Sequence, residues 1–332
     1  MKKILLFSLL ALAIVSCKKD TKSEPEPTPE PPTSNCPPPS CTSPSTVFTT
    51  SQSGPFLVFK FKFDSTQARL DNFGNPSSIP SGNAAFSPVF NKMSAHYIEI
   101  APNSTTQVGG GQVLYRAPET NCGLTSANSP SASIIYCQSI QVGDGEIFYK
   151  VPISQITPGS YQWLRVSLAY QNYDIAFKST SLPGTQWGTI ASFVGFQTNM
   201  SQYKIKNMTM TPTASLGING NYKQGYWGFE MSSISYTTDG QAAGTTVVNP
   251  ISATSPIPAG SCLVTGEFFN SVGGLTMPLT ITGTETSDVI ITVSLSTNKS
   301  FEWKEMVLDG YFQPDAGEFP VDMGIRGMIP KY

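Results

Sequence analysis

The chain has 332 residues, of which 39% are hydrophobic and 13% are charged, and its formal net charge is −2. A near-neutral chain lacks the basic surface that binds nucleic acid, so nucleic acid is excluded as an expected partner. The apolar fraction is sufficient for a substantial core, and the low charge indicates a surface made largely of uncharged polar residues. The length of the chain allows one large β domain or two tightly packed sheet units, and we expect a single domain.

The first sixteen residues have the pattern of a secretory signal peptide. Lys2 and Lys3 form a basic start, and the apolar run at positions 4–15 is shorter than the roughly 20 residues that a membrane-spanning helix needs. The run ends in "IVSC", positions 14–17, which resembles the lipobox of bacterial lipoproteins. That resemblance implies cleavage after residue 16 and lipidation of Cys17. The alternative is an ordinary secreted protein in which this cysteine is incidental.

Lipidation of Cys17 would attach the chain to a membrane. Several buried acyl groups, at about 0.8 kcal/mol per CH₂, give a stable anchor where a single chain is marginal. By the sorting rule of the lipoprotein family, an aspartate after the cysteine retains the protein at the inner membrane, and Lys18 stands there instead. We therefore expect an outer-membrane lipoprotein that contacts the membrane through its lipid anchor.

A proline-rich segment follows the predicted cleavage point. Residues 17–48 are dominated by Pro, Ser, Thr and Glu, a composition that cannot form a core and is expected to stay disordered. At about 3.1 Å per residue, such a stalk holds a domain well away from the membrane. Residues 49–332 contain no second break of this kind, and we predict that they form one domain.

This domain is predicted to be all-β. In "FLVFKFKF", positions 56–63, phenylalanines at 59, 61 and 63 alternate with lysines, which is the period-2 pattern of a half-buried strand. Similar strand-forming runs are "HYIEI", "EIFYKV", "YQWLRVSLAY", "YWGFEMSSISY" and "DVIITVSLS". No segment keeps a helical period for more than two turns. The expected architecture is an antiparallel β-sandwich.

Five cysteines remain besides the lipidated one, and an envelope compartment allows them to form disulfides. Cys122 and Cys137 are separated by 15 positions, and closing a loop of that size contributes about 3 kcal/mol in the chain-entropy model. We predict this disulfide. Cys36 and Cys41 are able to close a small ring in the stalk, which leaves Cys262 over.

His96 is the only histidine, which excludes a zinc site built on several histidines. Alternation in "SAHYIEI" places it on the face of Ile98 and Ile100, so we interpret it as a half-buried strand residue. A Ser-His-Asp hydrolase needs only one histidine, but the chain has no G-x-S-x-G turn. "VGGGQ", positions 108–112, lacks the lysine and hydroxyl of a phosphate loop and is predicted to be a turn. These motifs give no support for nucleophilic catalysis.

Four carboxylates lie close together near the C-terminus, interleaved with glycines. They are Asp309, Asp315, Glu318 and Asp322. Clustered oxygen ligands on glycine-rich turns suit a hard cation such as Ca²⁺, although their spacing differs from that of an EF-hand loop. The interpretation we prefer is a solvated turn in which Arg326 pairs with one carboxylate. A two-carboxylate glycosidase is a further alternative, because such pairs are recognised by their separation in space.

The aromatic residues are candidates for sugar-stacking platforms, because a ring face offers apolar contact to a pyranose. The tryptophans are Trp163, Trp187, Trp227 and Trp303. Most of them are predicted to lie in the core. Trp227 shares a strand face with Phe229 in "GYWGFE". Trp187, in the turn-rich "LPGTQWGT", is expected to be the most exposed and is the predicted ligand-binding aromatic.

Four segments together resemble the MbnP-like proteins, the family of the methanobactin-associated periplasmic copper-binding protein. They are "SPVFNKMSAHYIEI", "ITPGSYQWLRVSLAY", "YKQGYWGFE" and "DVIITVSLS". The resemblance covers about half of the domain and implies a β-rich, envelope-associated domain. The copper site of the family uses histidine ligands and an oxidised tryptophan, and none of these roles is assigned to a residue of this chain.

Three functional hypotheses of different classes follow. The first is a non-catalytic envelope lipoprotein whose β-sandwich binds a ligand or partner, such as a glycan or an envelope protein. The second is a glycan-active enzyme that uses carboxylates. The third is an MbnP-like metal-handling protein. No cofactor is expected under the first hypothesis, with Ca²⁺ at the C-terminal carboxylates as the alternative.

Overall fold

The structure, a computed structural model, describes residues 53–71, 73–124, 130–213, 217–218, 221–242 and 261–332. In these ranges the chain is all-β, as predicted, and contains no α-helix. None of the helical segments described there is long and apolar enough to cross a membrane. The predicted signal peptide, the predicted lipidation site Cys17 and the predicted stalk lie outside the described residues.

The first thirteen strands bring the chain to position 210, and two short 3₁₀ turns interrupt them. The strands are β1 (Phe56–Asp64), β2 (Asn83–Phe86), β3 (Val89–Ala101), β4 (Gln112–Arg116), β5 (Glu119–Leu124), β6 (Pro130–Ile135), β7 (Ile147–Pro152), β8 (Gly159–Tyr161), β9 (Trp163–Ser179), β10 (Leu182–Phe193), β11 (Gln197–Asn199), β12 (Tyr203–Lys204) and β13 (Thr209–Met210). The 3₁₀ turns are Tyr136–Gln138 and Ile153–Gln155.

The remaining described strands continue to position 331, and short 3₁₀ turns again lie between them. The strands are β14 (Gly217–Ile218), β15 (Asn221–Lys223), β16 (Tyr226–Met231), β17 (Tyr236–Gln241), β18 (Cys262–Glu267), β19 (Phe269–Asn270), β20 (Leu275–Thr276), β21 (Leu279–Ile281), β22 (Val289–Ser296), β23 (Phe301–Lys304), β24 (Phe319–Met323) and β25 (Met328–Lys331). The 3₁₀ turns are Ser232–Ile234 and Pro314–Ala316. The strand-forming runs singled out in the sequence lie largely in single strands, except "YWGFEMSSISY", which ends β16 at Met231, forms a 3₁₀ turn and reaches β17 at Tyr236.

The strands form two large sheets and several small ones. One large sheet has six strands in the order β20-β19-β25-β22-β1-β7. The other has seven, in the order β17-β16-β10-β9-β3-β4, with β18 also paired to β9. The smaller sheets are β14-β15-β11-β6-β5, β2-β23-β24, β12-β13 and β21-β8.

β1 confirms the predicted alternation and corrects the predicted strand direction. Phe59 and Phe61 are fully buried, whereas Lys62 is exposed. One edge of β1 pairs antiparallel with β7, but the other runs parallel to β22, with Phe59 opposite Ile291. β6 and β11, and β19 and β25, are also parallel pairs. The prediction of wholly antiparallel sheets is therefore wrong at these three pairs.

β9 organises the seven-stranded sheet. Along one edge it pairs with β18 over its first part and with β10 over its second part, while β3 runs along the other edge. Register shifts interrupt the pairing with β3, including one between Ser94 and Ala95. Such bulges bend a strand and increase its twist. The fold includes a curled half-barrel.

Two hydrophobic clusters account for most of the core. The larger one combines buried residues of both large sheets, such as Phe59 of β1 and Ile98 of β3. The smaller one lies where β9, β10 and β16 pack on the sheet β2-β23-β24, and its aromatic centre is Phe301, Trp303 and Phe312. An apolar pocket lies against this second cluster.

Candidate functional site

A half-open apolar pocket with a volume of about 80 Å³ lies against the second cluster. Strands β9, β10, β16 and β17 form one side, and segment 312–323 forms the other. The lining residues are Ile175, Phe177, Ile190, Trp227, Phe229, Tyr236, Thr238, Phe312, Pro314, Pro320 and Met323. None of them is an acid, a base, a histidine or a cysteine. An apolar concavity open to the surface is the kind of site that takes apolar ligand groups.

Two aromatic side chains of β16 line the pocket because glycines on the neighbouring strands leave room for them. Trp227 is paired with Gly240 of β17, and a Cβ atom added to Gly240 would overlap the indole. A Cβ atom added to Gly188 of β10 would overlap the ring of Phe229. Aromatic rings that cover strand glycines in this way stabilise the register of a sheet. These two aromatic–glycine contacts therefore shape the β16 side of the pocket.

The opposite wall is segment 312–323, which a buried carboxylate holds in place. Glu318 is only 1% exposed. It accepts hydrogen bonds from the backbone N–H groups of Met306 and Val307, each at 3.0 Å, and of Gln313 at 2.7 Å. Hydrogen bonds to a charged acceptor are stronger than neutral ones. Glu318 therefore fixes the loop that carries Phe312 and Pro314 into the pocket.

The predicted cation ligands Asp309 and Asp315 have partners of their own. Asp315 accepts hydrogen bonds from the backbone N–H and hydroxyl of Thr180, at 2.6 and 2.7 Å, and from the Ser179 hydroxyl at 3.0 Å. Burial raises the pKa of Asp315, but the hydrogen bonds from Thr180 and Ser179 outweigh it and leave this pKa below its ordinary value. Asp309 accepts a hydrogen bond from the Gln313 side chain at 3.0 Å.

Asp322, the fourth predicted ligand, pairs with Arg326. The carboxylate lies 3.0 Å from Arg326 Nη1, and the same guanidinium donates to the backbone carbonyl of Ser300. This pairing is the one that the preferred interpretation of the sequence expects. In the part of the chain that the structure describes, no group of three or more His, Cys, Asp or Glu side chains is arranged to hold a metal ion. The Ca²⁺ site stays a prediction, without a ligand cluster to support it.

His96 lies in β3 as predicted, but it is fully buried rather than half-buried. Its Nε2–H donates to Glu119 Oε1 at 2.6 Å, and Glu119 also accepts from Arg116 Nε at 2.8 Å. Burial lowers the pKa of His96 in spite of the neighbouring carboxylate. Burial raises the pKa of Glu119, but hydrogen bonds from His96 and Arg116 bring it down to about 2. The contact joins the seven-stranded sheet to β5 of the five-stranded sheet.

The predicted turn at "VGGGQ" is present, and its amides bind an internal carboxylate. Glu99, fully buried in β3, accepts hydrogen bonds from the N–H groups of Gly109 at 2.9 Å and Gly111 at 2.7 Å. It also accepts from the Tyr97 hydroxyl at 3.0 Å and lies 3.4 Å from Arg165 Nη1. The amide groups that would bind a phosphate in a phosphate loop therefore donate here to a buried carboxylate of the same chain.

Trp187 is exposed, as predicted, at 56%. It does not lie in the pocket. Successive side chains of a strand point to opposite faces, and the next residue, Gly188, faces Phe229 on the pocket side. Trp187 shares the other face with Thr189, whose hydroxyl donates to Asp174 at 2.7 Å. Its role as a ligand-binding aromatic stays a prediction.

The structure describes the side chains of only some of the cysteines. Cys36 and Cys41 lie outside the described residues, and so does the side chain of Cys122. The disulfide between Cys122 and Cys137 therefore stays a prediction. Cys262, expected to be left over, is a buried free thiol, and burial raises its pKa to about 12.

The sequence indicates correctly that Trp227 and Phe229 share a strand face, but the interpretation of Trp227 as a core residue is incomplete. Both are partly exposed and line the pocket. The signal that distinguishes them from core residues is the pair of glycines, Gly188 and Gly240, on the neighbouring strands. That signal can be recognised only when the strand register is known.

Comparison with known proteins identifies no relative. No family model, no curated protein and no solved structure matches the chain.

Proposed function

We propose that the chain is a lipid-anchored protein of the bacterial outer membrane whose β domain binds an apolar group. The lining of the pocket carries the binding part of this proposal, because its walls are almost entirely apolar. A sugar needs several hydrogen-bonding partners besides a ring to stack on. Walls such as these favour instead a ligand that gains by leaving water, at about 25 cal/mol per Å² of apolar surface.

The pocket is proposed to bind without catalysis. General acid–base chemistry needs a titratable group within hydrogen-bonding reach of the reacting atoms, and the lining has no carboxylate or histidine. Glu318, on the loop that forms one wall, accepts three backbone N–H groups and is 1% exposed. This arrangement favours a binding protein over the carboxylate-dependent, glycan-active enzyme.

The sequence also supports the sandwich architecture, which we propose is formed by the six- and seven-stranded sheets as its two layers. One core cluster contains buried side chains of both, with Phe61 and Val293 from the first and Ile100 and Val166 from the second. Sheets that share one core in this way are packed face to face. The pocket then lies on the seven-stranded layer, away from this shared core.

Binding is tested with toluene as the probe and the purified full-length chain, by following tryptophan emission. Thr238→Phe places a ring in the pocket from β17, and Thr280→Phe makes the same change at an exposed position of β21. We expect a saturable change of emission in the unmodified chain and in Thr280→Phe, and none in Thr238→Phe. The same response from all three proteins would refute binding in the pocket.

Anchoring is tested separately by cell fractionation. The lipobox resemblance of "IVSC" and the MbnP-like resemblance of the domain both support an envelope location. Cys17→Ser removes the predicted lipid attachment and should move the protein out of the membrane fraction. Cys36→Ser is the matched control and should leave the protein in place. Unchanged fractionation of Cys17→Ser would rule out the lipid anchor.

A further inference from the structure

We propose that the loop between β23 and β24 inserts its apolar tip into the surface of the lipid bilayer that holds the Cys17 anchor. The inference rests on the lipid anchoring proposed above and adds a second contact, made by the β domain itself. Three properties of the loop carry it: its exposed apolar side chains, a backbone whose amides are bonded within the chain, and a tyrosine–lysine pair beside the tip.

The tip of this loop exposes three consecutive apolar side chains. Met306, Val307 and Leu308, together called the apolar tip, are 60%, 41% and 87% exposed. Phe319 is also exposed and lies opposite Lys304, where the loop leaves β23. Single exposed apolar residues are normal on protein surfaces, but an exposed run of three or more is unfavourable unless it has a function. The apolar tip therefore has the character of an interaction surface.

The backbone of the loop is prepared for an environment without water. A segment that enters lipid must have its N–H groups bonded internally, because lipid offers them no partner. Glu318 accepts the N–H groups of Met306 and Val307, each at 3.0 Å. Three more amides donate within the loop: Asp309 to the Val307 carbonyl, Gly310 to the Glu305 carboxylate, and Tyr311 to the Asp309 carboxylate. The tip can therefore leave water while most of its amides stay paired.

A tyrosine and a lysine lie beside the apolar tip. Tyr311 is partly exposed, and Lys178 Nζ lies 3.2 Å from the centroid of its ring. The same ammonium group lies 3.8 Å from the Asp309 carboxylate. Tyrosine and lysine each combine an apolar body with a polar end, which suits the headgroup level of a membrane. Because Asp309 balances Lys178, this pair provides no excess of positive charge, and the loop fits a zwitterionic surface without a need for anionic lipid.

The bilayer is the occupant that the anchor supplies. A disordered stalk sets the greatest distance between the domain and the membrane, not the smallest. Tethering also raises the effective concentration of the domain at the surface, so a small apolar tip contributes even if it binds vesicles weakly by itself. A protein partner, including a second copy of this chain, would have to supply a cavity that fits Leu308. A lipid surface needs no such match.

The test measures contact between the tip and acyl chains. The full-length chain, purified from bacterial membranes, is placed in phosphatidylcholine vesicles with either ordinary or brominated acyl chains, and bromine quenches tryptophan emission on contact. Leu308→Trp puts an indole at the tip, and Val272→Trp is the control at another loop, where the valine is 98% exposed. The emission added at position 308 should fall roughly two-fold in brominated vesicles, because an inserted side chain lies at the boundary of headgroups and acyl chains. The emission added at position 272 should not change.

Flotation of the vesicles separates this inference from the proposed anchoring. Protein that floats with the vesicles, but is quenched no more at position 308 than at 272, would overturn the loop contact and leave the lipid anchor in place. Protein that does not float would overturn the anchor and this inference with it. Sedimentation of the chain in detergent tests a second copy as the occupant. A lower oligomeric state in Leu308→Ser, without quenching at position 308, would assign the tip to self-association instead of the membrane.

Discussion

The indole of Trp227 covers Gly240 of the neighbouring strand, in the space that a side chain at position 240 would occupy. This contact positions the largest ring of the pocket lining. It also makes the pocket sensitive to a single methyl group on β17, because a ring held over a glycine has no room to retreat towards the sheet. We therefore expect the packing of this pair to affect the proposed binding.

Gly240→Ala should displace the Trp227 indole into the pocket. Overpacking of this kind costs about 1–3 kcal/mol, and we expect shifted tryptophan emission together with loss of the toluene response. Gly273→Ala is the control, since a Cβ atom there meets its nearest neighbour at an ordinary 3.7 Å. Emission and toluene response that are the same in both variants would show that the glycine does not shape the pocket.

Glu318→Gln should destabilise the loop that forms the second wall. Oε1 accepts from Met306 and Val307 and Oε2 accepts from Gln313, so either orientation of an amide puts an NH₂ group against an N–H group. We expect a loss of about 2–4 kcal/mol in urea unfolding. Asp309→Asn, at a more exposed carboxylate of the same loop, should cost less than about 1 kcal/mol. Equal losses would mean that burial of Glu318 has no special role.

Calcium should leave the melting temperature unchanged relative to EDTA. The four C-terminal carboxylates are directed at separate protein partners, so no shared repulsion is relieved by a cation. A shift of several degrees between calcium and EDTA would restore the cation site predicted as an alternative from the sequence.

The complementary variant is Arg326→Ala, which removes the partner of Asp322. We expect a loss of about 3 kcal/mol, because the partly buried carboxylate is left without its counter-charge. Adding Asp322→Asn should recover part of this loss in a double-mutant cycle. Full additivity of the two substitutions would show that the pair is not coupled.

The His96–Glu119 contact predicts loss of stability in acid. Burial lowers the pKa of His96 from 6.5, so the unfolded chain takes up this proton before the folded chain does. The contribution of His96 to the free energy of unfolding is therefore complete at higher pH and declines as the pH falls through about 6.5. The pKa of Glu119 is lowered from 4.5 to about 2, so Glu119 loses its contribution to the free energy of unfolding as the pH falls through this range. Both effects have the same sign, and urea unfolding between pH 7 and pH 3 should show a continuous decline.

His96→Gln separates the two contributions. A glutamine amide can donate to Glu119 but does not titrate, so this variant should flatten the decline between pH 7 and pH 5 and keep the decline below pH 4.5. Curves of the same slope for both proteins above pH 5 would contradict the assignment to His96.

Local patterns determined the strands and their buried faces. The alternation of phenylalanine and lysine in β1 predicts the burial that the structure has, because the side-chain period of a strand is a property of neighbouring residues. The exposure of Trp187 was also predicted, but for the wrong reason, because the turn-rich sequence around it forms part of strand β10. The predictions of a lipid anchor and a stalk also come from local composition and motif, and they lie outside the described residues.

Only the tertiary structure decided which distant residues meet. The parallel pairing of β1 with β22, the indole of Trp227 over Gly240, and the three amides around Glu318 all join groups whose contact depends on strand order and register. A register change of one residue would turn the Trp227 side chain to the other face. The carboxylates near the C-terminus could not be distinguished by sequence, but they have different partners in the fold. Glu318 accepts hydrogen bonds from the backbone of its own loop, Asp315 binds Thr180, and Asp322 pairs with Arg326. The reason is that a carboxylate is stabilised by whichever donors the folded chain brings within hydrogen-bonding distance.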